Sequence, residues 1–330
     1  MAPPCRPVLV APDSFKGSFS ARQVAEAIGR GLSAAGLREI DLAPLADGGE
    51  GTAELLLERL GGEERNAATH DPLGRERESS FALLADGHTA VVEVAQGSGL
   101  ALLDVAERDA EAASSVGTGE LIVAALNTGA AEILVAAGGS ATTDGGSGAI
   151  AAVREAGGLR GARLTVLCDV RTPFEMAAAR FGPQKGADAS AVARLTTRLE
   201  DLAARLPRDP RGVVMSGAAG GLAGGLWAAF DARLTAGAPY VLGALDIERR
   251  LRASRAVIVG EGRIDATTLE GKAAGEVATR ARGLGVPAHA IVAVNAIDRF
   301  DARILDLQTI LEATELRQIE RAAERLANLL

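Results

Sequence analysis

Short apolar runs recur along the chain, and each ends in a stretch of Gly, Asp, Ser, Thr or Lys that precedes a helical pattern. Val8-Leu-Val10 leads into Ala11-Pro-Asp-Ser-Phe-Lys-Gly-Ser18. Ser20-Ala-Arg-Gln23 then has the spacing of a capping box, and Val24, Ala27, Ile28, Gly31 and Leu32 share one helical face. A second strand around Glu39 to Leu42 passes through Asp47-Gly-Gly-Glu-Gly-Thr52 into a helix from Ala53 to Leu60, which Gly61 can end. Leu164 to Cys168 reads as a strand ending at Asp169. Val213 to Met215 is expected as another, emptying into Ser216-Gly-Ala-Ala-Gly-Gly-Leu-Ala-Gly-Gly225. Ala256 to Val259 is a strand followed by the loop Gly260-Glu-Gly-Arg-Ile-Asp265, a helix from about Lys272 and the apolar run Ile291 to Val294. Strands alternating with helices predict mainly parallel, right-handed α/β packing. The stretch Leu316, Ile319, Ala323, Leu326, Leu330 predicts a packing helix.

From Asp71 the pattern changes. Phe81 to Leu84 and Val91 to Val94 flank Asp86-Gly87, a hairpin turn signal, which points to a second domain with some antiparallel sheet. Ser114 to Glu120 caps a helix running to Thr128. The strand Glu132 to Ala137 then empties into the glycine-rich Gly138-Gly-Ser-Ala-Thr-Thr-Asp-Gly-Gly-Ser-Gly148.

The chain has 330 residues, 48% of them hydrophobic and 24% charged, enough for two packed cores in a soluble globular protein. A net charge of -8 and only nine aromatic residues (seven Phe, one Trp, one Tyr) argue against nucleic acid as a partner. No apolar run reaches the ~20 residues of a membrane span and no targeting pattern is visible, so no membrane partner and a cytoplasmic location are expected. Cys5 and Cys168 read as ordinary thiols, and His70, His88 and His289 lack zinc-ligand spacing.

Glycine-rich loops after strands can offer unhindered amides to phosphate. No Gly-x-x-x-x-Gly-Lys-Ser/Thr element exists, and no glycine cluster fits Gly-x-Gly-x-x-Gly, which disfavours a Walker-type ATPase and an ordinary dinucleotide enzyme. Asp13, Asp47, Glu50, Asp144, Asp169, Glu261 and Asp265 all fall at or just after predicted strand ends. Glu50 reads as a helix cap, whereas Asp13, Asp47, Asp169 and Asp265 fall near Lys16, Lys185 and Arg263. Phosphoryl transfer needs cations and amides to spread charge, a metal on the phosphates and a carboxylate to orient the acceptor, and the chain has each. Lys185 or Arg263 could clamp a small anionic acceptor.

Eight ordered motifs, running from about residue 8 to 273, resemble the type I glycerate kinase family of bacterial glycerate 2-kinases. They are Ala-Pro-Asp-Ser-Phe-Lys-Gly-Ser (11–18), Ala-Asp-Gly-Gly-Glu-Gly-Thr (46–52), Asp-Pro-Leu-Gly (71–74), Ser-Val-Gly-Thr-Gly-Glu-Leu-Ile (115–122), Gly-Gly-Ser-Ala-Thr-Thr-Asp-Gly-Gly (138–146), Phe-Gly-Pro-Gln-Lys-Gly-Ala (181–187), Gly-Ala-Ala-Gly-Gly (217–221) and Gly-Glu-Gly-Arg-Ile-Asp (260–265). The resemblance implies ATP-dependent phosphorylation of D-glycerate to 2-phospho-D-glycerate and ADP, with Mg2+. It also implies two α/β domains with the active site in the cleft between them. A discontinuous Rossmann-like domain would take residues 1–70 plus 246–330, its mainly parallel sheet built from both chain ends, and a mixed-sheet domain with a β-hairpin would take 71–245.

On this reading Lys16, Asp47 and Asp169 are catalytic candidates, the lysine meeting a phosphate or the glycerate carboxylate and one of the acids orienting the acceptor hydroxyl. Asp13, Ser14, Lys185 and Arg263 are assigned to substrate. Gly138, Gly139, Ser140, Thr142, Gly217, Gly220 and Gly221 are assigned to nucleotide phosphates, and Glu261 and Asp265 to metal or acceptor. Alternatives are a kinase for another small 2-hydroxy acid and a non-catalytic small-molecule-binding protein on the same scaffold. The family pattern is shortened at 155–163, altered at 171–180 and different after Pro287, which bears on the cleft rim, the acceptor and a homodimer contact.

Overall fold

A computed structural model of the chain describes residues 6–15 and 17–330; Cys5 and Lys16 lie outside the described residues. In chain order the elements begin with β1 (Val8–Pro12), α1 (Ala21–Ala34), β2 (Ile40–Leu42), α2 (Thr52–Leu60), β3 (Gly62–His70), β4 (Glu76–Leu84), β5 (Thr89–Glu93), α3 (Val94–Ser98) and α4 (Val116–Asn127). There follow β6 (Glu132–Ala136), α5 (Ser147–Glu155), β7 (Arg163–Cys168), α6 (Ala177–Phe181), α7 (Ala189–Ala203), α8 (Leu222–Phe230) and β8 (Arg233–Ala236). The chain finishes with α9 (Gly237–Ala244), α10 (Ile247–Ala253), β9 (Ala256–Ile264), α11 (Ala273–Leu284), β10 (Ala288–Asn295), α12 (Arg299–Ile304), β11 (Leu307–Glu312) and α13 (Leu316–Ala327).

These elements form two units. The first combines Met1–Asp47 with Ala238–Leu330, and the second is Gly48–Gly237. The first boundary thus falls before α2, not near residue 70, because α2 packs on β4 and β5 and the carboxylate of Glu93 accepts the Ala53 N–H at its start.

The first unit has an all-parallel sheet in the order β11-β10-β9-β1-β2. Val8, Val10, Ile258 and Ile291 pack there with Val24, Ile28 and Leu32 of α1 and with Ile319 and Leu326 of α13. The capping box at Ser20 and Gln23 is formed. The expected loop 260–265 is mostly strand: β9 continues to Ile264 because β10 pairs beside it, Gly260 against Ile291 and Arg263 against Val294.

The second unit has the mixed sheet β3-β4-β5-β6-β7-β8. Pairing is antiparallel from β3 to β5, with the Asp86-Gly87 turn between β4 and β5, and parallel from β5 to β8. The expected strand at Val213 to Met215 is absent. Met215 has φ +74°, outside extended geometry, and its N–H bonds to Arg171 O in a turn, while Val214 is exposed. The strand beside β7 is instead β8. Cys168, at the end of β7, is buried, and burial together with the Asp169 charge pushes its thiol pKa up, as an inert thiol requires.

Candidate active site

In the second unit β6 and β7 end side by side, delivering Gly138 and Asp169 to the carboxyl edge of the parallel strands. Ligands bind at such edges in open α/β sheets. Gly138 must be small: a Cβ there would lie 2.5 Å from Gly49 Cα and 3.5 Å from Asp169 Oδ2. A pocket of about 100 Å³ opens at this edge, lined among others by Gly139, Ser140, Asp169, Lys185, Ala219 and Gly220.

Lys185 comes from the short turn Pro183–Lys185 and is 2% exposed. Its Nζ donates to Ser140 Oγ at 2.9 Å and to the Thr142 carbonyl at 2.5 Å. Burial lowers its pKa to about 8, while the nearby charges of Asp144 and Asp169 act the other way. The result is a desolvated ammonium beside a carboxylate and two glycine-bearing loops. That combination can take a phosphoryl oxygen in a setting where charge is poorly screened.

The glycines assigned to phosphate divide. Gly139 and Gly220 line the pocket. Gly217 backs onto Pro173 O, where a Cβ would sit 2.5 Å away, and Gly221 faces the Phe174 ring, so both serve packing. Thr142 is fully buried and contributes its carbonyl to Lys185. Asp144, placed among the ligand-type acids by its position, holds local structure: Oδ2 accepts from Ser115 N (3.0 Å), Ser115 Oγ (2.7 Å) and Gly148 N (3.2 Å), and Oδ1 from Gly146 N (3.0 Å). It ties the starts of α4 and α5 together.

Glu93 was not singled out by its sequence position. It ends β5, is 5% exposed, and accepts the Ala53 N–H at 2.8 Å, capping α2 from a distant strand. Burial raises its pKa to about 7 despite bonds from the Ala53 and Gly51 amides; Glu50 and Glu54 add to the rise. With a folded pKa above the unfolded one, the stability this group contributes is complete below about pH 4.5 and is lost as pH rises through about 7, roughly 3 kcal/mol in all. Glu93→Gln keeps an acceptor for α2 and removes that loss. The variant should therefore gain stability over the parent between pH 5 and pH 8 in chemical denaturation; parallel pH profiles would contradict this.

The first unit gathers its own polar groups at strand ends. Asp13 is buried after β1; its N–H donates to Gly260 O at 2.8 Å, and its Oδ1 accepts from the N–H of half-buried Ser14 at 2.6 Å. Asp47 is also buried. Glu261 Oε1 accepts from Thr268 Oγ1 at 2.7 Å and Oε2 from Lys272 Nζ at 3.1 Å; burial raises its pKa, against the pull of Lys272. Asp265 Oδ1 accepts from Thr267, and Oδ2 pairs with exposed Arg263 at 3.0 Å. With Lys272, Thr268, Thr267 and Arg263 on these oxygens, Glu261 and Asp265 do not fit a dedicated metal site. Among the described residues no group of three or more His, Cys, Asp or Glu could hold a metal ion.

Lys272, the partner of Glu261, was not singled out by its sequence position either. The chain has only three lysines among its 35 basic residues, Lys16, Lys185 and Lys272, and each adjoins a glycine; that rarity marks all three.

The model of the glycerate kinase family matches residues 8–156 and 153–330. The chain belongs to the glycerate kinase family. It is 37% identical over 306 residues to glycerate 2-kinase of Escherichia coli strain K12, covering 80% of this chain and 79% of that protein. It is 38% identical over 322 residues to glycerate kinase of Bacillus subtilis strain 168, covering 85% and 83%. A crystal structure of a putative glycerate kinase 2 from Salmonella typhimurium LT2 superposes with a TM-score of 0.79 at 32% identity, covering 98% of each chain. Family membership makes this chain a kinase acting on small molecules, with ATP as the implied cosubstrate. Among the described residues no helix is long and apolar enough to cross a membrane.

Proposed function

We propose that this member of the glycerate kinase family is a cytoplasmic enzyme that transfers the γ-phosphoryl group of ATP to the 2-hydroxyl of D-glycerate, giving 2-phospho-D-glycerate and ADP. The observation that carries the reading is the Lys185 ammonium, buried and held by Ser140 and Thr142 at a pocket shared with Asp169, Gly139 and Gly220. A compact ammonium suits a phosphoryl group whose charge is spread over several oxygens.

In this reading Gly138, Gly139, Ser140 and Gly220 take nucleotide phosphates beside Lys185. Asp169 orients the acceptor hydroxyl, with Asp47 as the alternative, and Asp13, Ser14, Lys16 and Arg263 belong to substrate binding. Magnesium would enter with ATP, held by its phosphates and by a carboxylate such as Asp169 beside Lys185, where it would neutralise phosphate charge. Glu261, neutralised by Lys272, serves to hold the first unit's loop in place.

A coupled ADP-release assay tests the reading. ADP release should depend on D-glycerate and exceed the rate with L-glycerate, lactate or glycolate. A faster rate with another 2-hydroxy acid would reassign the acceptor, and no release with any of them would remove the kinase reading.

A further inference from the structure

The first unit has a concavity of its own, at the opposite end of its sheet from Asp13 and Asp265. Arg255 N–H donates to Pro7 O just before β1 and β9 begin, and Val257 N–H donates to Pro287 O, so this is the amino-terminal edge of the parallel strands. The concavity has a volume of about 510 Å³ and is lined by Arg6, Arg252, Ser254, Arg255 and the turn 284–286. That volume is in the range of small-molecule sites.

Its charge is unusual for the molecule. In a chain with net charge -8, three arginines line this one concavity, and only Arg252 has a carboxylate partner among the described residues, Glu248 at 2.6 Å. The guanidinium groups are not used up as helix caps. At the end of α10, Ser254 Oγ donates to Arg250 O and Ser254 N to Leu251 O; at the end of α11, Gly285 N donates to Arg282 O and Val286 N to Ala281 O. Arg255 Nε is buried and has no hydrogen-bond partner among the described residues. A buried donor left unmatched is unfavourable, so Arg255 keeps hydrogen-bonding capacity that the described residues do not use.

We propose that this pocket binds a small, multiply charged phosphate-bearing anion at a site separate from the kinase residues. Guanidinium forks match phosphate oxygens bidentately, and three of them suit a ligand with more than one negative charge. Polycarboxylates share part of this chemistry, and the test separates them.

Calorimetric titration of the full chain with inorganic pyrophosphate, in parent, Arg6→Gln and Arg252→Gln proteins, tests the site without reference to turnover. Both arginines are exposed, so the thermal midpoint should not move. The parent should bind saturably and more weakly as salt rises, and each substitution should weaken binding about tenfold. Absence of saturable binding, or binding unchanged by both substitutions, overturns the proposal; citrate binding more tightly than pyrophosphate overturns its assignment to phosphate.

Discussion

Lys185→Met should lower kcat/KM for ATP by about 10² to 10³-fold while leaving a folded protein, because it deletes a preorganised cation aimed at developing charge. The ammonium is fully desolvated, and at neutral pH the folded state holds it charged at a cost. An apolar side chain of similar length removes that cost along with the two bonds to Ser140 and Thr142, so the loss should appear in turnover far more than in stability. The pH dependence follows from the lowered pKa. In the free enzyme kcat/KM should decline as pH rises through about 8, where Lys185 loses its proton, and Lys185→Arg should shift that decline upward. Stability has the opposite slope: between about pH 8 and the ordinary lysine value of 10.5 the unfolded chain binds more protons, so the native state gains stability with pH. A Lys185→Met protein with parental kcat/KM would remove the lysine from the mechanism.

Gly220→Ala should damage fold and activity together. Gly220 has φ +65°, and a Cβ there would collide with the Thr142 carbonyl oxygen and crowd Thr143 Cα. Strain from the left-handed backbone and the backbone clash should cost roughly 2–4 kcal/mol. The struck oxygen is also the one that accepts from Lys185 Nζ, so relief of the clash moves the ammonium's anchor. Denaturant midpoints and kcat/KM measured on one preparation should both fall. Gly129→Ala is a matched control: it too has positive φ, but a Cβ there meets nothing within 4 Å, so it should carry backbone strain alone and keep its activity.

Much of this was legible in the chain itself. Apolar runs ending in Gly, Ser and Asp located β1, β6, β7 and β9, since a buried parallel strand must be apolar throughout and its carboxyl end must turn. The Gly138 loop, Asp169 and Lys185 stood out in the sequence by residue type and position, and the fold brings Gly139, Ser140, Asp169 and Lys185 to one pocket.

What was not legible depends on tertiary contact. Glu93 looks like any polar strand end until α2, some 40 residues earlier, places Ala53 N–H against it. Asp144 has the same residue type and loop position as Asp169; only the five donors folded around it show that it is structural. β3 escaped because Gly-Glu-Glu-Arg-Asn-Ala-Ala-Thr-His is an edge strand, mostly exposed, with no apolar face to reveal its period. Conversely, Val213 and Val214 have the composition of a strand without neighbouring backbone to pair with, and the turn at Met215 prevails.

The central claim, phosphorylation of D-glycerate at its 2-hydroxyl, is tested most directly by proton-coupled phosphorus NMR of ATP and D-glycerate turned over by the enzyme. Transfer to the 2-hydroxyl places phosphorus on a carbon with one hydrogen, so the new phosphomonoester signal should be a doublet that grows as ADP appears. A triplet would show transfer to the CH2 oxygen instead, and inorganic phosphate as the only new signal would show that glycerate is not the acceptor.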